Sequence, residues 1–275
     1  MPELPDAWRR PEPPPEAVQT GFFTDTTLCI GCKACEVACK QWNQLPSDGF
    51  HWTGHSYDNT SALGDTTWRH VAFVEQFHGD GAADRLLMMS DVCKHCESAP
   101  CEEACPTGAL IYNEFGSVYL QQDICNGCAS CVVACPFGVV DRNPSDGRAH
   151  KCTLCYDRQK DGMTPACAKA CPTASIQFGP ISELREKARR RVEELHARGE
   201  AGAYLYGDEA NGEYSALRAF FLLQDKPEVY NLPAAPCRPA ARLGTNYLVS
   251  FATAIGLAAI SALLLQTSSR TEGRR

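Results

Sequence analysis

Apolar positions in this chain come mostly in short runs bounded by Gly, Pro, Asn or Asp, the pattern of strands rather than of long helices. "GFFTDTT" (Gly21 to Thr27), "WRHVAFVEQF" (Trp68 to Phe77), "RLLMMSDVC" (Arg85 to Cys93), "GVVDRN" (Gly138 to Asn143) and "ASIQFG" (Ala174 to Gly179) read as strands. "ALIYNEFGSVYL" reads as a hairpin with Gly at its turn. A helical period appears in "ISELREKARRRVEELHARG", where Ile181, Leu184, Ala188, Val192 and Leu195 share one face, with Ser182 as N-cap and Gly199 as the stop. A helix of another kind follows. No charged residue occurs from Leu243 to Ser269, and the 22 residues from Thr245 to Gln266 give about 33 Å of helix, enough for a bilayer core. The competing reading is a buried Ala-rich helix, but a segment apolar on all faces so near the end of the chain has little protein left to bury it. Ala252, Gly256 and Ile260, with Ser261 nearby, form a small-residue stripe suited to a partner membrane helix.

Cysteine changes the picture. Of 17 cysteines, all but Cys237 fall into four quartets: Cys29, Cys32, Cys35, Cys39; Cys93, Cys96, Cys101, Cys105; Cys125, Cys128, Cys131, Cys135; and Cys152, Cys155, Cys167, Cys171. Disulfides are a poor reading, since three thiols on one tight loop have no distant partner to staple. A thioredoxin-like site needs one CxxC at a helix N-terminus, not four quartets. Zinc is the serious competitor, yet a tetrahedral ion usually takes two CxxC knuckles separated by a longer span. Thiolates at i, i+3 and i+6 fit separate iron corners of a 4Fe-4S cube, and a fourth cysteine followed by Pro is carried to a second cluster. The third quartet, "CNGCASCVVACP", has this spacing in full; the second and fourth widen one gap, and the first has Lys40 in place of Pro. The fourth quartet's long gap, taken alone, also suits a zinc knuckle.

Because the fourth cysteine of each quartet serves a partner's cluster, the quartets must pair, and the strand signals choose the pairs. "RLLMMSDVC" before the second quartet and "GVVDRN" after the third are expected to pair and close one module around the hairpin. "GFFTDTT" before the first and "ASIQFG" after the fourth are expected to close another. The expected ligand sets are then Cys29, Cys32, Cys35 with Cys171; Cys152, Cys155, Cys167 with Cys39; Cys93, Cys96, Cys101 with Cys135; and Cys125, Cys128, Cys131 with Cys105.

The predicted fold is α+β: two nested bacterial-ferredoxin-like two-cluster modules plus one C-terminal transmembrane helix. Residues 1–20 read as a disordered Pro-rich lead-in, with Arg9-Arg10 lacking the apolar stretch of an export signal. Residues 21–40 and 140–180 form the outer module, and 41–84 an aromatic-rich insertion, read as a docking surface, a cluster cover or loop packing. The inner module is 85–139, an amphipathic helix and docking segment 181–242, the membrane helix 243–267 and a basic tail 268–275. The formal net charge is −7, and no basic stripe interleaved with aromatics offers a path for a phosphate backbone, so nucleic acid is not an expected partner. Oxidised clusters with four thiolates are themselves negative, so backbone N–H groups must compensate, with Lys33, Lys40, Lys94, Lys151 and Lys169 as tuning candidates or plain surface lysines. His95, inside a complete quartet, reads as a neighbour of the ligands or a surface residue, and Cys237 as a spare thiol. No Gly-rich phosphate loop, Ser/His/Asp constellation or paired-carboxylate motif appears, which points to a wire rather than a catalyst.

"TTLCIGCKACEVACKQWN", the four quartets in this order, "TWRHVAFVE", and "AYLYGDE" with "ALRAFFLLQDKPEVYNLPAAP" leading into an apolar helix resemble the iron-sulfur beta subunit of respiratory formate dehydrogenase. The resemblance covers roughly Gly21 to Gln266. It implies a non-catalytic subunit carrying electrons through four 4Fe-4S clusters, from a molybdenum or tungsten bis-pterin alpha subunit to a cytochrome b membrane subunit and quinone. It implies the same pairing of quartets, and export as a passenger of the alpha subunit. Arg270, Arg274 and Arg275 against Arg238 and Arg242 favour the C-terminus inside, which would put the cluster domain on the outer, periplasmic face. The quartets alone are shared with subunits of nickel-iron hydrogenases and other molybdopterin oxidoreductases. A zinc-stabilised membrane-tethered interaction protein is the alternative of another class.

Overall fold

A computed structural model of the chain describes residues 18–50, 52, 54, 57–77, 84–210, 214–239 and 243–272, the side chains of 243, 245 and 262–272 excepted. Most of the Pro-rich lead-in lies outside the described residues. The elements in chain order are β1 (Thr20–Asp25), α1 (Ala34–Asn43), β2 (Arg69–Gln76), β3 (Arg85–Val92), α2 (Pro100–Glu103), β4 (Leu110–Tyr112), β5 (Val118–Leu120) and α3 (Ser130–Ala134). They continue as β6 (Asp141–Arg142), β7 (Ala149–His150), α4 (Tyr156–Lys160), α5 (Ala166–Ala170), β8 (Ile176–Pro180), α6 (Ile181–Ala197), β9 (Tyr204–Tyr206), β10 (Ala219–Leu223) and α7 (Leu243–Glu272). Two compact units result, residues 1–236 and 237–275.

The first unit is organised by a four-stranded sheet in the order β8-β1-β10-β9. β1 pairs antiparallel with β8, joining "GFFTDTT" to "ASIQFG", and parallel with β10, Phe23 facing Phe220 in register. Parallel neighbours covered on both faces favour continuous apolar strands, which accounts for "AFFLL" in β10. Phe22, Phe23, Phe220, Phe221, Leu222 and Leu223 are all buried. Each such side chain contributes roughly 1.5–3 kcal/mol on burial, and the rings of Phe23 and Phe220 stack at 5.3 Å. Helix α6 packs on β1 and β8 through Ile181, Leu184, Ala188 and Leu195. Its start differs from expectation: Pro180 is the N-cap, without a side-chain hydrogen bond, and Ser182 lies inside the first turn. The backbone N–H of Ile181 donates instead to the carbonyl of Gln19 at 2.9 Å, so one of the helix's free donors is met without a side-chain cap.

The hairpin forms as β4 and β5, with Gly116 at φ +76°. A second expectation fails. β3 pairs along its whole length with β2, from Arg69 opposite Val92 to Gln76 opposite Arg85, and not with residues 138–143. Those residues instead lead into β6, which pairs with β7 in its own short hairpin. Both outcomes are local: closing a short loop costs less entropy than joining segments about 50 residues apart.

In the second unit α7 is a 30-residue helix. Tyr247, Leu248, Val249, Phe251, Ile255, Leu257 and Ile260 are exposed on it. Among the described residues no helix is long and apolar enough to cross a membrane. The side chains of 245 and 262–266 in the expected span fall outside them, as do those of the basic tail.

Candidate functional site

Each quartet begins with a CxxC loop whose third residue has positive φ: Gly31 (+65°), His95 (+43°), Gly127 (+71°) and Leu154 (+55°). The left-handed residue turns the chain so that the two flanking thiols face the same side. Glycine adopts it freely, whereas His95 and Leu154 do so at a cost on the order of 1–2 kcal/mol. At Gly31 a Cβ would also stand 2.5 Å from the Phe73 ring.

The third and fourth cysteines sit on or just beyond short helices. Cys35 and Cys39 lie one turn apart on α1, and α1 packs on α5, which carries Cys167 and is capped by Cys171. α2 carries Cys101 with Cys105 just beyond its end, and packs on α3, which carries Cys131 and is capped by Cys135. Two thiols one turn apart on a helix reach two different sites, so each packed helix pair serves two thiol groups.

The groups can be read directly from their surroundings. Cys29, Cys32, Cys35 and Cys171 line one partly open cavity. Cys93, Cys96, Cys101 and Cys135 line another, with Lys94, His95 and Tyr214. The Cys39 thiol is pushed far up in pKa by burial and by Cys152, Cys167 and Cys155 beside it. Burial pushes Cys131 up to about 11, helped by Cys125, Cys105 and Cys128. Cys35 and Cys96 are likewise raised by burial, to about 11 and about 12. Cys32 and Cys128, by contrast, are exposed. The sixteen quartet cysteines form no disulfide.

Such thiols fit iron-sulfur clusters well. All-thiol donor sets suit soft iron-sulfur centres, and binding deprotonates thiols that desolvation otherwise keeps protonated. Among the described residues no three His, Cys, Asp or Glu side chains converge closely enough to hold a single metal ion. The thiols of the Cys29 and Cys93 groups line cavities instead, the kind of arrangement a cube requires.

Buried cations and hydroxyls complete the surroundings. Lys94 and Lys151 are 1% and 2% exposed, so neither is a surface lysine, while Lys169 is exposed. Lys151 Nζ lies 3.9 Å from Cys93 Sγ and donates to the carbonyl of Cys152 at 2.9 Å, straddling two thiol groups. Lys33 instead pairs with Glu36 and Asp58, and Lys40 with Asp48. His95 is buried, and burial holds its pKa well below the ordinary value. Tyr214 Oη lies 3.0 Å from Cys96 Sγ, and Ser90 Oγ 3.3 Å from Cys35 Sγ. Two of these partners, Tyr214 and Ser90, escape sequence reasoning, as does Arg69. Arg69 is fully buried on β2, and its Nη2 donates to Cys167 Sγ at 3.3 Å. The one available signal for it is a charge at the head of the strand, just before the apolar run Val71 to Val74.

Comparison with known proteins agrees with this chemistry. Two family models, each described as a 4Fe-4S dicluster domain, match residues 28–109 and 85–181. The formate dehydrogenase iron-sulfur subunit of Haemophilus influenzae is 40% identical over 232 residues, 82% of this chain and 73% of the relative. The nitrate-inducible formate dehydrogenase iron-sulfur subunit of Escherichia coli is 41% identical over 216 residues, 77% of this chain and 71% of that one. A component of the anaerobic dimethyl sulfoxide reductase of Escherichia coli is 35% identical over 174 residues, 62% of this chain and 77% of the relative.

Proposed function

Since the chain belongs to the family of formate dehydrogenase iron-sulfur subunits and is an electron-transfer subunit with four 4Fe-4S clusters, we propose that it links a formate-oxidising molybdopterin subunit to a membrane acceptor. The ligand sets are Cys29, Cys32, Cys35, Cys171; Cys39, Cys152, Cys155, Cys167; Cys93, Cys96, Cys101, Cys135; and Cys105, Cys125, Cys128, Cys131. When bound, each cluster supplies a one-electron site. The chain's own residues fix the spacing, exclude water and aim hydrogen bonds at the sulfurs.

The observation that carries this reading is continuity. Arg69 bonds Cys167 and, through the Ser90 hydroxyl, reaches Cys35, and Lys151 lies against both Cys93 Sγ and the Cys152 carbonyl, so the first set adjoins the second and the second adjoins the third. The packing of α2 on α3 brings the third beside the fourth. The first and fourth sets, at the two ends of this series, hold the exposed Cys32 and Cys128. Two solvent-facing ends joined by a buried middle suit entry and exit of electrons.

The finer reading is that the donor holds molybdenum or tungsten on bis-pterin, that the acceptor is a cytochrome b subunit passing electrons to quinone, and that α7 anchors the chain in the membrane. The anchor is supported by the uncharged stretch 243–269 and the exposed apolar side chains of the helix. The arginines after the helix favour an outer cluster domain. The test is reduction of the clusters in the co-purified complex, followed by electron paramagnetic resonance. Formate is expected to reduce them and hydrogen not to. Reduction by hydrogen alone would move the chain to a different donor enzyme. Ending the chain before Leu243 should release it from membranes, and unchanged sedimentation with them would remove the anchor.

A further inference from the structure

Arg69 is the largest fully buried side chain among the described residues, and it sits where two ligand sets meet. Its Nη2 donates to Cys167 Sγ at 3.3 Å, on one set. Its Nη1 lies 3.2 Å from the carbonyl and 3.3 Å from the hydroxyl of Ser90, and that hydroxyl lies 3.3 Å from Cys35 Sγ, on the other. One guanidinium therefore reaches both sets, directly on one side and through a single hydroxyl on the other. The face of the group is covered by the Phe22 ring, 4.8 Å away, so no water screens it.

We propose that Arg69, with Ser90, is a shared positioning element for the two outer clusters, raising the reduction potential of both with one buried charge. This rests on the ligand sets proposed above. One electron takes a cluster core from 2+ to 1+, and with its four thiolates from −2 to −3. A fixed cation beside the sulfurs stabilises the more negative state, and hydrogen bonds to sulfur act in the same direction. Placed between two clusters, the same cation also offsets the repulsion that reducing one imposes on the other.

The charge is permanent. A guanidinium stays protonated across the whole accessible pH range, so its charge does not depend on the state of its neighbours. Nor is a structural role sufficient to explain it, since an Arg of this kind costs much to bury and a strand position is filled more cheaply by an apolar residue. Of the lysines beside the quartets, Lys151 alone has a sulfur contact among the described residues, and it is to Cys93 of an inner set. Arginine's fork suits this double contact, which the single ammonium of lysine cannot reproduce.

The test is a redox titration of the full complex, followed by electron paramagnetic resonance, with iron and acid-labile sulfide counted for each variant. In Arg69→Met the reduction equilibrium of both outer clusters is expected to fall at least tenfold, equivalent to about 59 mV for one electron, with the two inner clusters unmoved. Arg69→Lys should recover part of the fall. Ser90→Ala, a small change that leaves the charge in place, should lower only the cluster of Cys29, Cys32, Cys35 and Cys171. Unchanged outer potentials in an iron-replete Arg69→Met would overturn the proposal. So would equal cluster loss in both Arg69 variants combined with unchanged potentials in Ser90→Ala. A wild-type chain short of iron and sulfide would defeat the cluster assignment itself, and the proposal with it.

Discussion

The outer and inner modules use nearly the same cysteine spacing yet are closed in different ways. The outer one is shut by its own flanking strands, β1 against β8, within the main sheet. The inner one has no such pair, because β3 joins β2 and β6 joins β7. It is held by a strap from far downstream: the carbonyl of Lys94 accepts from the backbone N–H groups of Arg218 and Ala219, Cys96 bridges Leu217, and Glu97 N–H donates to Ala216. The same strap runs on as β10 into the outer module's sheet. Ligand geometry is thus set locally, by left-handed CxxC residues and short helices, while closure is a separate and exchangeable matter.

The sharpest way to break this comparison is Cys39→Ser. If each quartet's last thiol crosses to its partner's cluster, iron should fall from about 16 to about 12 per chain, with the signal of the Cys152, Cys155, Cys167 cluster lost. Loss confined to the Cys29 cluster would undo the pairing. Next comes the shared strap. Phe220→Ala removes a fully buried ring stacked on Phe23 and should cost about 3–5 kcal/mol, read as a drop in thermal unfolding temperature that affects both modules together. Unfolding of the outer module alone would show the strap to be dispensable to the inner one. A smaller effect is expected from Tyr214→Phe, which removes only the hydroxyl beside Cys96. A hydrogen bond to a charged group contributes roughly 1.5–3 kcal/mol, so about a tenfold fall in the reduction equilibrium of the Cys93 cluster is expected by redox titration, with the outer clusters unaffected. Smallest of all, Lys169→Ala alters an exposed charge and should shift any cluster by less than about 0.5 kcal/mol, and less still as salt rises.

What could be read from the sequence follows the same division. The quartets, the hairpin around Gly116, the strand of β2 and the buried face of α6 are local patterns, and they stand in the structure where the residues placed them. The pairing of "GFFTDTT" with "ASIQFG" was legible too, because no nearer partner competed. The expected partner of "RLLMMSDVC" was wrong because a nearer strand did compete. β10 gave no usable sign: "AFFLL" is apolar throughout, so it announces no face, and its parallel partner lies nearly 200 residues away. The buried cations were hidden for another reason. Lys151 and Arg69 are buried against thiols assembled from distant parts of the sequence, and Lys94 against Asp91 and the rings of Phe137 and Phe221, the second of which lies far downstream.

The cavity that holds Cys29 has a consequence for how the protein is made. Its fourth thiol belongs to Cys171, so the site does not exist until 142 more residues have been synthesised, which takes about 7–28 s at roughly 5–20 residues per second. The sheet waits longer still, for β10. The thiols of the first quartet therefore leave the ribosome well before their site can close, and stand unenclosed throughout that interval.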